Sequence, residues 1–129
     1  MKKAGLLFLF CLFSVLGQAS NTGGDVVDDI SRLFKEANTK ELSKYFSTTV
    51  SMSLLKDEGV YSKVQAEIVL RDFFGRHNPQ EVSLVHRLDS NPNFKYVVLQ
   101  LKTGKQHFRI SYKIVSEGSI YRMTELRIE

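Results

Sequence analysis

Residues 25–129 of this 129-residue chain predict one α+β domain, a curved antiparallel sheet wrapped around helices in the order α-α-β-β-α-β-β-β-β. Three observations predict it. Apolar residues recur at helical spacing in two separate stretches, near 25–37 and 62–75. Apolar and polar residues alternate from about residue 49. The last 50 residues divide into strand-like segments parted by very short turns, which makes neighbouring segments antiparallel partners.

The first helix follows from Val26, Val27, Ile30, Leu33, Phe34 and Ala37, with Asp25, Asp28 and Asp29 near the positive end of its dipole. Thr39 is placed to cap a second, shorter helix through Phe46, presenting Leu42, Tyr45 and Phe46. Val50, Met52 and Leu54 alternate with Thr49 and serines as a half-buried strand, and Asp57-Glu58-Gly59 turns into Val60-Tyr61, giving a hairpin. Ser62 and Gln65 form a capping box for a third helix to about Gly75, whose Val64, Ile68, Phe73 and Phe74 are expected in the core. Gly75 to Pro79 ends it. Four strands then fall near 81–89, 94–103, 106–115 and 120–128, separated by Asn91-Pro92-Asn93, Thr103-Gly104-Lys105 and Ser116-Glu117-Gly118.

Ahead of the domain, residues 1–19 read as a secretory signal peptide and 20–24 as a short flexible lead. Lys2 and Lys3 supply the positive start, residues 4–16 an apolar middle, and Gly17-Gln18-Ala19 a cleavable end of small residues. An apolar run of 13 residues falls short of the roughly 20 needed to span a bilayer as a helix. The expectation is an exported protein, periplasmic or extracellular after cleavage near Ala19, with no membrane span in the mature chain. Cys11 follows Phe10 rather than a small residue, which argues against lipid attachment, and its removal leaves a mature chain without thiol chemistry. The mature chain carries 16 basic and 14 acidic side chains, a net +2, with no run of three basic residues. A nucleic-acid partner is therefore not expected.

Beyond the element order, Tyr61-Ser62-Lys63, Gln65-Ala66-Glu67, Asp72-Phe73-Phe74, His86, Phe108-Arg109 and Leu126-Arg127-Ile128-Glu129 resemble a family of exported bacterial domains of unknown function. The element order itself is similar to the nuclear transport factor 2-like superfamily, also called the cystatin-like cone, in which a bent sheet wraps a long helix around an open mouth. Leu88 stands where that family usually has a glycine two residues after the histidine. The resemblance implies fold and export rather than chemistry: ketosteroid isomerase and scytalone dehydratase share the cone as enzymes, while other members only bind.

Three side chains are candidates for a ligand pocket in such a cone. His86 shares a strand face with Val82, Leu84 and Leu88, so strict alternation turns it inward, where it could act as acid, base or ligand anchor, or serve as a hydrogen-bonded core residue. Tyr112 shares the apolar face of Phe108, Ile110 and Ile114 and brings a hydroxyl inward. Arg122 shares a face with Ile120, Thr124, Leu126 and Ile128, able to clamp a carboxylate unless a bulge reverses the face. No carboxylate joins His86 on an inward face unless the last strand is flipped to admit Glu125. His77, His86 and His107 lack metal-ligand spacing, Ser119 lacks the glycine-flanked nucleophile elbow, and no phosphate loop occurs, so neither a metal nor a cofactor is expected.

The favoured reading is a non-catalytic domain of the cell envelope that binds a small apolar or carboxylate-bearing ligand or an envelope protein. The alternatives are a small cofactor-free lyase or isomerase around His86, and a scaffold whose cone is filled. Self-association is also expected, through the sheet face carrying Val85, Tyr96 and Val98.

Overall fold

The computed structural model describes residues 25–129. The expectations for residues 1–24, the signal peptide, its cleavage and the lead, lie outside the described residues. Two helices open the domain, α1 (Val26–Glu36) and α2 (Thr39–Leu42), followed by a 3-10 turn at Ser43–Tyr45. The strands β1 (Phe46–Leu54) and β2 (Asp57–Ser62) form the hairpin, α3 (Lys63–Arg76) crosses back, and β3 (Glu81–Leu88), β4 (Phe94–Thr103), β5 (Gln106–Glu117) and β6 (Ile120–Ile128) form the meander.

Local chemistry explains most boundaries. Asp25 caps α1 by accepting the Asp28 amide at 2.9 Å. Ser62 and Gln65 close the expected capping box on α3. Asn38 rather than Thr39 caps the second helix, which is shorter than expected because it gives way after Leu42 to the 3-10 turn and Phe46 already belongs to β1. Thr39 is instead buried, its hydroxyl donating to Glu67 of α3 at 2.8 Å.

The six strands form one sheet in the order β2-β1-β6-β5-β4-β3. All neighbours are antiparallel except β1 and β6, which run parallel. The helices cover one face, and the buried positions of the strands point to it. The core joins Val27, Ile30, Leu33 and Phe34 of α1 to Ala66, Leu70, Phe73 and Phe74 of α3 above the inner strand residues. One expectation fails here. Val64 and Ile68 are 67% and 48% exposed, because the buried stripe of α3 runs through Ala66 and Leu70 instead.

Candidate functional site

Alternation held through β3 would place His86 inside the cone, but the strand is not regular. Val82 pairs with Leu101 and Leu84 with Leu99, and then the register shifts so that His86 pairs with Val98 and Arg87 with Val97. Leu99 and Val97 are fully buried, so the extra residue, Val85, is a β-bulge that turns His86 onto the exposed outer face. The same bulge turns Arg87 inward. Its guanidinium reaches Asp25 at 3.0 Å and Asp89 at 2.7 Å, which ties β3 to the N-cap residue of α1. The Asp28 amide and then the Arg87 guanidinium hold the Asp25 carboxyl below its ordinary range, against the opposing effect of partial burial.

Tyr112 does point inward, and it is sealed there. The residue is 0% exposed, its ring lies 6.1 Å from that of Phe34, and Val97 and Leu126 flank it on the neighbouring strands. Its hydroxyl has no hydrogen-bond partner among the described residues; Ser31 approaches without closing a bond of good geometry. Burial pushes its acidity far below that of an ordinary phenol. A buried hydroxyl that neither donates nor faces water is a poor proton donor to any ligand.

Arg122 meets the reversal that a bulge produces. Between Lys113 paired with Glu125 and Ile114 paired with Met123, β6 carries the extra residue Thr124. Met123 joins the buried face in place of Arg122, whose Nη1 donates to the Lys44 carbonyl oxygen at 2.6 Å. Glu125 stays outside and exposed, 3.9 Å from Lys113. The three candidate residues are thus not brought together: His86 is outside, Tyr112 is enclosed, and Arg122 braces the turn before β1. The pocket expected around His86 is replaced by packed side chains, among them Phe34, Phe46, Phe73, Met52 and Tyr112, all 2% exposed or less.

The opposite face of the sheet holds the concavity that the sequence reading missed. Ser51 and Ser53 occupy the outward positions of β1 between buried Val50, Met52 and Leu54. Ser111 of β5 faces the same way, only 7% exposed although no helix covers it. Register places Arg127 of β6 between Ser111 and Ser53, and Glu125 between Lys113 and Ser51. With Glu58 and Val60 of β2 and Tyr96 of β4 as rims, Ser51, Ser53, Ser111, Glu125 and Arg127 line a groove of about 460 Å³. Small hydroxyl side chains leave room where larger ones would fill the twist of the sheet. The signal was present as serines alternating with apolar residues, but which serines become neighbours depends on strand order. Among the described residues, no group of three or more His, Cys, Asp or Glu side chains is placed to hold a metal ion.

Comparison with known proteins agrees with this architecture. Residues 27–129 match the DUF4783 model, a domain of unknown function. No curated protein matches the chain. A DUF4783 family protein from Bacteroides uniformis ATCC 8492 is similar at 24% identity and a TM-score of 0.76, covering 81% of this chain and 96% of its own. Another, from Bacteroides ovatus ATCC 8483, is 21% identical with a TM-score of 0.72, covering 77% and 89%. The protein named Rd1NTF2_04 with long sheet is 16% identical with a TM-score of 0.66, covering 80% and 95%. The chain belongs to the DUF4783 family and has the nuclear transport factor 2-like fold.

Proposed function

We propose that this protein is a non-catalytic binding domain of the cell envelope that holds a protein partner across the outer face of its sheet. One observation carries the reading. The interior of the cone is filled by apolar side chains, while the outer groove is open, polar and lined by side chains of both charges. Catalysis by acid and base needs two titrating groups within reach of one substrate atom, and an enclosed Tyr112 with an outward His86 supplies no such pair. In the groove, Arg127 lies between two serines and can hold a partner's carboxylate, while Glu58 and Glu125 suit a basic side chain a few ångströms away. Such alternation favours a polar polypeptide segment, matched charge by charge, over a small apolar molecule. The signal-like character of residues 1–19 is what supports an envelope location for this partner.

The test is site-specific photocrosslinking in the native cell, with the photoreactive residue at Ser53 in the groove or at Lys35 on α1. The reading expects a discrete adduct from Ser53 only, lost when Arg127→Glu is added. Adducts equally strong from both positions, or unaffected by Arg127→Glu, would overturn it. Intact mass of the recovered chain decides export separately. Cleavage near Ala19 is expected, and retention of Met1 would refute it.

A further inference from the structure

The exposed apolar residues of this domain are not scattered. Among the described residues six of the eight large ones gather at the two edges of the sheet, Val60, Val64 and Ile68 at β2 and α3 and Leu84, Val85 and Leu88 at β3, while Leu55 and Ile120 sit beside turns. An edge strand offers unpaired backbone groups as a template for another strand, and proteins blunt such edges with bulges. The β3 edge is blunted in this way by its bulge at Val85. The β2 edge is not: its pairing with β1 runs without interruption from Asp57 to Ser62, and no proline interrupts it.

We propose that two copies of this chain associate edge to edge through β2, antiparallel about a two-fold axis at Val60, and so continue the sheet from one copy into the other. The hydrogen-bond pattern limits the register to those that set outward residues against outward residues, and charge chooses among them. The two-residue turn closing Leu54 on Asp57 directs the backbone groups of Asp57, Gly59 and Tyr61 towards β1. Those of Glu58 and Val60 then point out, while the outward amide of Ser62 is already taken by Gln65 at 3.1 Å. Setting Val60 against Val60 of the second copy pairs both backbone groups of Val60 and sets the Glu58 amide against the free carbonyl of Ser62. It also brings Asp57 to the start of α3 in the second copy, at Lys63, twice by symmetry, so the edge is complementary to itself in charge. A slip of two residues keeps the same backbone groups outward but puts Asp57 opposite Tyr61 and loses both ion pairs.

The contact also explains the surface of α3. Val64 and Ile68 lie one turn apart, 67% and 48% exposed, beside a shallow apolar cleft of about 200 Å³ lined by Tyr61, Gln65, Ile68 and Val69. In the two-fold arrangement Ile68, which shares this cleft with Tyr61 one residue from the axis, lies beside the seam on the helix side of the extended sheet, while Val60 meets its copy on the outer side. Both faces of the joined strands are covered by apolar side chains that a lone molecule leaves in water. The groove of the functional proposal stays open, and its Val60 rim brings the two grooves side by side at the axis.

Sedimentation equilibrium of the chain from residue 20 onwards, over a hundredfold range of concentration, tests the proposal. The expected result is a monomer–dimer equilibrium whose Kd rises about tenfold or more in Val60→Lys. Asp57→Lys should weaken association, and adding Lys63→Asp should restore it. Circular dichroism confirms that each variant is folded, which the exposure of Val60 leads one to expect. A monomer at every concentration would overturn the proposal. So would a dimer that ignores Val60→Lys but dissociates with Val98→Lys, since that places the interface on the open face of the sheet, as the sequence reading expected. Arg127→Glu leaves the edge dimer intact, so a failure of the groove reading and a failure of this one are distinguishable.

Discussion

The two long helices lie on the same sheet face, yet only one is finished for water on its other side. α1 buries Val27, Ile30, Leu33 and Phe34 and turns charge outward, where Arg32 sits 3.6 Å from Asp29 and 3.7 Å from Glu36. It is also pinned at its start, because Arg87 reaches across from β3 to Asp25. α3 buries Ala66, Leu70, Phe73 and Phe74 but leaves Val64 and Ile68 exposed among Arg71, Asp72 and Arg76. A core helix needs one apolar stripe to hold its place. The second stripe of α3 does nothing for the isolated domain, so its use is to be sought outside it. The comparison teaches that one helix is finished on both sides while the other keeps an apolar stripe that the domain itself leaves uncovered.

Substitutions can break that contrast, beginning with the core they share. Phe73 is fully buried, its ring 5.2 Å from Phe108 and 4.7 Å from His77. Phe73→Ala should cost about 3–5 kcal/mol in urea unfolding, while Lys63→Ala on the same helix should stay within about 0.5 kcal/mol. Comparable small effects at both positions would mean that α3 is not held as described.

The anchor of α1 is weaker and depends on pH. Asp25→Ala should cost about 1 kcal/mol near neutrality. The folded carboxyl has its pKa lowered from the ordinary 3.8, so its contribution is present above that value and fades as pH falls through the lowered folded value. Chemical unfolding of the two proteins should therefore give stabilities that converge in acid. A gap that stays constant from neutral pH into strong acid would sever α1 from this ion pair.

The smallest effect is expected beneath α1. Tyr112→Phe removes a buried hydroxyl that has no partner among the described residues, so thermal unfolding should show a gain of about 0 to 1 kcal/mol. A loss larger than about 1 kcal/mol would mean that the hydroxyl makes a hydrogen bond after all.

What the sequence revealed follows the regularity of each element. β4 and β5 alternate as read, with Val97, Leu99 and Leu101 opposite Tyr112, Ile110 and Phe108, because neither strand carries an extra residue between those pairs. β3 and β6 each contain a bulge, and a bulge inverts every face beyond it. Nothing in the local pattern marks it: Val85 is apolar and could point either way, and the long stem of Arg87 tolerates an inward course with its charge drawn to the rim. His86 and Arg122 were both misplaced for this one reason. On α3 the error was phase, since Val64 and Ile68 form as good a helical stripe as Ala66 and Leu70. The groove was illegible because Ser51, Ser53 and Ser111 are distant in sequence and meet only through β6.

The parallel pair of β1 and β6 bears on how this chain acquires its structure. Met52 meets Leu126 and Leu54 meets Ile128, and without β6 the sheet is two fragments, β2-β1 and β5-β4-β3, with no shared ladder. Joining them closes a loop that spans most of the domain, a slow kind of contact whose entropy must be lost before any pairing rewards it. α1 packs on β3 and β4 while α3 packs on β1 and β2, so each fragment has its own helix, and residues 120–128 join the two into one sheet. A sheet whose two halves share a ladder only through β6 gets its unity from that one strand, so loosening β6 loosens both halves at once.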